Sequence, residues 1–321
     1  MTEELFPDLY RIKIPLPASP LGWVNSYVIK DPNRNLVIDT GLNRRECLEA
    51  MLEGLSRIGV DLKKTDFYIT HFHSDHFALA RLLSDETTTV YMNGPDKAFI
   101  ESWDGWGQIS EFALLNGFPR EELMSAISNH PGYKYDSDRV PVMIAVNDGD
   151  LIRCGGYNFT AVATPGHTIG HTCLYEPARK LLLSGDHILI DITPNIGCWS
   201  ENANPLKLYL ASLNRIHGMQ VDLVLPGHRS IVGDCRGRIE ELRLHHDRRL
   251  EEVLSILKHG PQNAYAAASR MTWDLEGSWS SFPVAQKWFA TGEAIAHLRY
   301  LEEEGEVVRD DSTGSRVYSI T

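Results

Sequence analysis

Four times in this chain an apolar run that reads as a buried strand stops and hands over to a residue type that binds metal ions. Asp66–Ile69 ends at Thr70-His71-Phe72-His73-Ser74-Asp75-His76. Tyr157–Ala163 ends at Thr164-Pro165-Gly166-His167, Lys180–Ser184 at Gly185-Asp186-His187, and Val221–Leu225 at Pro226-Gly227-His228. Taken singly, an Asp or His after a strand is more often a helix cap or a surface residue. Four deliveries of one kind in one chain argue against chance. The first cluster is the densest. His71 and His73 stand two apart in extended chain, so they point to the same side and can reach one ion together. Asp75 and His76 open a stretch, Asp75–Leu83, whose pattern predicts a helix, and they can face a second ion nearby. Imidazole and carboxylate suit zinc, and also iron or manganese.

Length and charge bound what such a site can serve. At 321 residues the expectation is one large domain and a small one. Hydrophobic residues make up 43%, ordinary for a globular chain, and no apolar run approaches a membrane helix. Met1-Thr2-Glu3-Glu4 offers neither a basic region nor an apolar run, so a cytoplasmic location without membrane attachment is the default. Thirty-one Lys and Arg against 43 Asp and Glu leave a formal charge of −12, which disfavours a nucleic-acid partner. The five cysteines are scattered and contain no CxxC pair, as reduced thiols would be.

In chain order, Leu21–Lys30 and Asn35–Asp39 read as strands around the Asp31-Pro32-Asn33-Arg34 turn. A helix follows to about Ile58. Asp39 fits equally a helix cap or a partner for the second ring nitrogen of a metal-bound histidine. Thr88–Met92 is a short strand. Pro95–Asn129, with Trp103, Trp106, Phe112 and Phe118, then reads as two or three helices inserted between strands and suited to a pocket wall. Strands return at Leu151–Arg153 and Tyr157–Ala163, and a helix spans Pro205–His217.

The order HxHxDH, PGHTxGH, Asp after a strand, and His in a PGH turn resembles the metallo-beta-lactamase-fold hydrolases over roughly residues 8 to 258. The resemblance implies an α/β fold, the αββα four-layer sandwich of two sheets between helices, with a dinuclear site at one edge. It implies that His71, His73 and His167 hold one divalent ion and Asp75, His76 and His228 the other, with Asp186 bridging. Zinc is the expected metal, manganese or iron the alternatives. His171 and Asp39 match positions that support the ligands, whereas His187 is not a family ligand. The chemistry implied is a hydroxide shared by two ions, with Asp75 orienting it or taking its proton. The Arg238–Leu257 helix and the tail resemble members carrying a small C-terminal winged helix, giving domains at 1–258, with a helical insertion at about 95–140, and 259–321. Ala264–Met271, Pro283–Ala290 and Thr291–Glu304 are expected as three short helices before a hairpin of Glu306–Arg309 and Arg316–Ile320. From Gly260 on, five Lys and Arg face nine Asp and Glu, which opposes phosphate contact and favours packing, dimerisation or pocket-building. The favoured function is hydrolysis of an ester, thioester or lactone on a small-molecule or acyl substrate. A metal-dependent endoribonuclease and an iron-dependent persulfide dioxygenase are the alternatives. The diiron oxygen reductases of this fold carry an acidic residue where His73 stands and add a flavin domain for which this chain has no room.

Overall fold

The computed structural model describes residues 1–17, 19–135, 140–312 and 314–321. Residues 136–139 of the expected insertion and residue 313 of the expected hairpin loop lie outside these. The described residues form two compact units: 1–102, 134–194 and 212–239 make the first, and 103–133, 195–211 and 240–321 the second.

The first unit is built on two sheets. One has seven strands in chain order: β1 (Thr2–Phe6), β2 (Leu9–Pro15), β3 (Trp23–Ile29), β4 (Asn35–Ile38), β5 (Thr65–Ile69), β6 (Val90–Asn93) and β7 (Met143–Val146). Strands β1 to β4 pair antiparallel as a meander. Strands β4 to β7 pair parallel, as they must once helices α1 (Arg45–Arg57), α2 (Ser74–Leu83) and α3 (Gly94–Glu101) fall in the crossovers between them. The other sheet has five strands: β8 (Leu151–Cys154), β9 (Tyr157–Ala163), β10 (Thr172–Glu176), β11 (Leu181–Gly185) and β12 (Leu223–Pro226).

Side-chain alternation sorts the layers. Leu9, Tyr27, Ile29, Leu36, Ile38 and Tyr68 of the first sheet meet Tyr157, Phe159, Ala161, Leu174, Leu181 and Leu183 of the second in one buried cluster. Residues one step along, Val28, Val37, Phe67 and Ile69, face the other way and pack with Cys47, Met51 and Leu55 of α1 and Phe77 and Leu79 of α2. On the second sheet Leu182 and Val224 are fully buried although they point away from the inter-sheet core, so that face is covered as well. The result is the mixed α/β sandwich expected from the motif order. Between β11 and β12 the register slips: Leu183 pairs with Leu225, but Gly185 pairs with Pro226, leaving Ser184 as an extra residue.

The second unit joins α4 (Gly107–Leu115), α5 (Arg120–Asn129) and α6 (Pro131–Lys134, completed in the first unit) to the N-terminal half of α7 (Pro205–His217), most of α8 (Cys235–Leu257), α9 (Ala264–Ala268), α10 (Val284–Glu303) and the hairpin β13 (Val307–Asp310) and β14 (Val317–Ile320). Phe118, Leu123, Ala126 and Ile127 cluster with Trp288 as its core. Two expectations are corrected here. The stretch expected as two short helices is one helix of 20 residues, α10. Thr291 and Gly292 weaken a helix locally, by up to about 1 kcal/mol for Gly. Packing overrides that: Trp199 stacks on Trp288 at 4.0 Å and occupies the space a Cβ at Gly292 would need, 2.7 Å from its Nε1. Phe118, expected as pocket wall, is 2% exposed and spent on this core. Among the described residues no helix is long and apolar enough to cross a membrane.

Candidate metal centre

Topology brings the ligand-type residues together. Strands β4, β5 and β6 are parallel, so their C-terminal ends share one edge of the first sheet. In the second sheet β11 and β12 are parallel, and β9, two antiparallel steps from β11, runs the same way. The two edges are tied to each other. Asn25 on β3 donates through Nδ2 to Pro226 O (2.9 Å), Tyr27 OH donates to the same carbonyl (2.8 Å), and Thr172 N donates to Thr70 O (2.9 Å). Seven residues named from the sequence meet there in three groups, each with ligand atoms within 4.8 Å: His71, His73 and His167; His71, His76 and Asp186; Asp75, His76 and His228. Asp186 lies between them. Its Oδ2 is 3.7 Å from His167 Nε2 and 3.4 Å from His228 Nε2, and its Oδ1 is 3.5 Å from His76 Nε2. His228 Nε2 is also 3.3 Å from Asp75 Oδ2. His187 joins none of the groups; it is buried beside the His171 ring, 6.0 Å between centroids, and burial pushes its pKa down to about 3.

Three of the five imidazoles, those of His71, His76 and His228, are held from behind. Asp39 Oδ2 accepts from His76 Nδ1 (2.8 Å) and from Thr70 Oγ1 (2.7 Å), while Oδ1 accepts from Thr70 N (2.8 Å). Because the Thr70 hydroxyl donates to Asp39, it accepts from His71 Nδ1 at 3.0 Å, which leaves a lone pair on His71 Nε2, 3.1 Å from His73 Nδ1 in the cluster. His228 Nδ1 donates to Trp23 O (2.8 Å) and likewise turns Nε2 inward. His171 Nε2 accepts from Asp186 N (3.1 Å), so its Nδ1 donates to Thr164 Oγ1 (2.8 Å); it fixes Asp186 and does not face the cluster. Asp39 thus serves histidines and caps no helix, since α1 begins after Arg44.

The electrostatics divide six of the seven. Burial, then neighbouring imidazoles, holds His71 and His73 well below the ordinary histidine range, which favours neutral ligands. Burial opposes charge on His228 too, but Asp186 and Asp75 outweigh it and raise its pKa to about 10, and His76 rises for the same reason. Burial pushes the Asp75 and Asp186 carboxyls up, yet His76 and His228 outweigh it and keep both below the usual carboxylate range. The donor set fits divalent cations. Two carboxylates and five imidazoles converge, and among the described residues the ion-pair partners of Asp75 and Asp186 are all histidines. Asp186 Oδ1 is buried and accepts no hydrogen bond from the described residues. A Cβ at Gly227 would stand 2.5 Å from that oxygen and 2.8 Å from His76 Cε1, so only glycine keeps the centre open.

Three supporting residues escape sequence reasoning. Asn25 and Tyr27 act on a carbonyl some two hundred positions away, although a fully buried Asn inside an apolar strand is itself a signal. Asp96, inside the stretch expected as a helical insertion, is 0% exposed and belongs with the first unit. Burial raises its pKa to about 6 against the pull of three hydrogen bonds. It follows the end of β6 and repeats the pattern of a strand that stops before a ligand-type residue.

Comparison with known proteins bears on the same residues. The model of the metallo-beta-lactamase superfamily matches residues 20–228, and that of a metallo-beta-lactamase-like C-terminal domain matches 250–319. A probable metallo-hydrolase of Bacillus subtilis, YqjP, is 25% identical over 97% of both chains. An atrochrysone carboxyl ACP thioesterase of Aspergillus novofumigatus is 22% identical over 81% of this chain and 66% of its own. Among solved structures, the metallo-beta-lactamase family protein TTHA1429 from Thermus thermophilus superposes with a TM-score of 0.85 at 28% identity, covering 99% of this chain and 100% of its own. Matched across the whole stretch from β3 to His228, and again in its tail, this chain is a metallo-hydrolase and belongs to the metallo-beta-lactamase superfamily.

Proposed function

We propose that the chain hydrolyses a carboxylic thioester or ester, lactones included, with two divalent ions, zinc in the first place, and that its substrate is a small acyl compound and not a nucleic acid. The observation that carries the reading is the convergence of all seven donors with Asp186 between two trios. His71, His73 and His167 would hold one ion, Asp75, His76 and His228 the other, with Asp186 shared. Bound there, divalent ions polarise an acyl oxygen and lower the pKa of water toward neutrality. Asp39, Thr70 and Trp23 O hold the histidine rings in the tautomer that turns Nε2 inward. Asp75 is the proposed catalytic residue. One fifth of its side chain is exposed, twice the share of Asp186, and its carboxyl is kept ionised, so it can orient an attacking water or take its proton.

Charge supports acyl over phosphate chemistry. Arg238 spends its guanidinium on Leu189 O (2.7 Å) and Ile192 O (2.8 Å). Arg215 is paired with Asp148 at 2.7 Å, and the chain as a whole carries −12. A relative named as a thioesterase points the same way. A centre holding a single iron, as a persulfide dioxygenase needs, would leave Asp75, His76 and His228 without a task.

The test loads the full chain with zinc or manganese and offers acyl thioesters, aryl esters, lactones, single-stranded RNA and a persulfide with oxygen uptake recorded. Turnover of an acyl substrate with two ions per chain is expected, falling at least about a hundredfold in Asp75→Asn. RNA cleavage abolished by Asp75→Asn and unmatched by any acyl substrate would refute it, as would one iron per chain with oxygen consumption.

A further inference from the structure

Asp96 stands in the first turn of α3 with its carboxylate fully buried, and among the described residues no cation pairs with it. A buried carboxylate without a cation is costly, and three hydrogen bonds offset the cost. Oδ2 accepts from Phe72 N (3.0 Å) and Thr168 Oγ1 (2.8 Å), and Oδ1 accepts from Gly170 N (2.6 Å). These donors are not scattered. Phe72 lies between His71 and His73, while Thr168 and Gly170 lie between His167 and His171. At their base the two loops are joined by Thr172 N to Thr70 O; at the level of the ligands Asp96 joins them. The approach is close enough that a Cβ on Gly170 would lie 2.4 Å from Asp96 N.

We propose that Asp96 is a positioning residue that sets the distance between the His71/His73 pair and His167, and thereby the metal affinity of that trio. The inference rests on the reading of the trio as a metal site. Asparagine at 96 presents one oxygen and one NH2 group to three donors, so at least one donor loses its acceptor. Thr168→Val removes a single bond, and Thr168→Ser keeps it.

The experiment uses the full chain. It measures zinc stoichiometry and the two zinc affinities by chelator competition, the visible spectrum of the cobalt(II) form, and urea unfolding of the metal-free protein. Asp96→Asn and Thr168→Val are expected to weaken one of the two zinc sites about 10- to 100-fold and to alter the cobalt spectrum, with Thr168→Ser close to wild type. Should Asp96→Asn fail to fold, Thr168→Val decides. Unchanged affinities and spectrum in the variants would overturn the proposal. So would equal weakening of both sites in step with lost metal-free stability, which is the mark of a merely structural tie. A wild-type chain that binds no zinc overturns the metal reading and this inference together. A wild-type chain that binds two ions but hydrolyses no acyl substrate overturns only the function.

Discussion

Replacing Asp39 with Asn tests whether the histidines are aimed from behind. The side chain is 2% exposed and serves three donors with two oxygens: Thr70 N on one, Thr70 Oγ1 and His76 Nδ1 on the other. Asparagine has one acceptor. With its oxygen toward His76, its NH2 group meets Thr70 N and a buried donor is orphaned, at about 1–3 kcal/mol. With its oxygen toward Thr70 N, the NH2 group faces His76 Nδ1. That ring must then give up its Nδ1 proton and keep the one on Nε2, the atom that looks at Asp186 and His228. Either way the metal-free protein should lose about 2 kcal/mol, read as a fall in the urea midpoint. Zinc affinity should fall about 10- to 100-fold, read by chelator competition. A variant within about 0.5 kcal/mol of wild type with unchanged zinc affinity would refute the assignment of tautomers.

His130 is half-buried, and its partial removal from water pushes its pKa down to about 4, so the folded chain keeps it neutral where the unfolded chain, near pH 6.5, takes a proton. Its contribution is complete above about pH 6.5 and is lost as pH falls toward 4; from pH 7 to 5 that is about 2 kcal/mol. His130→Gln should therefore lose less stability over that interval than wild type, and equal losses in urea unfolding would contradict this. Trp288→Ala removes a 2% exposed indole that stacks on Trp199 and meets Phe118 edge-on, and should cost about 3–5 kcal/mol; a loss under about 1 kcal/mol would show that the second unit's core lies elsewhere.

What was legible in the sequence is what depends on neighbours along the chain. The short apolar runs before His71, Asp186 and His228 marked their strands, and the step from extended to helical chain at Ser74 separated His71 and His73 from His76. What was not legible depends on contacts that sequence distance hides. Helix α10 crosses Thr291 and Gly292 because Trp199, nearly a hundred residues earlier, packs there. Strands β1 and β7, flanking the sheet, were not anticipated, and β7, apolar at every position, leaves Ile144 half exposed at the sheet edge. Asp96 carries the same charge as its exposed neighbours on the insertion, and only burial tells them apart.

The slip between β11 and β12 has a consequence for how this architecture can change over time. The one extra residue at Ser184 and the positive φ of Gly185 (48°), where β11 ends, together set where the turn carries Asp186. Leu181, Leu182 and Leu183 can be exchanged for other aliphatic residues at modest expense. The count of residues from Leu183 to Asp186 cannot change, because adding or deleting one would carry the carboxylate away from His76, His167 and His228, which it now meets at 3.5, 3.7 and 3.4 Å. Substitution along β11 is therefore open to drift, while an insertion or deletion at this step is closed to it, whatever residue is gained or lost.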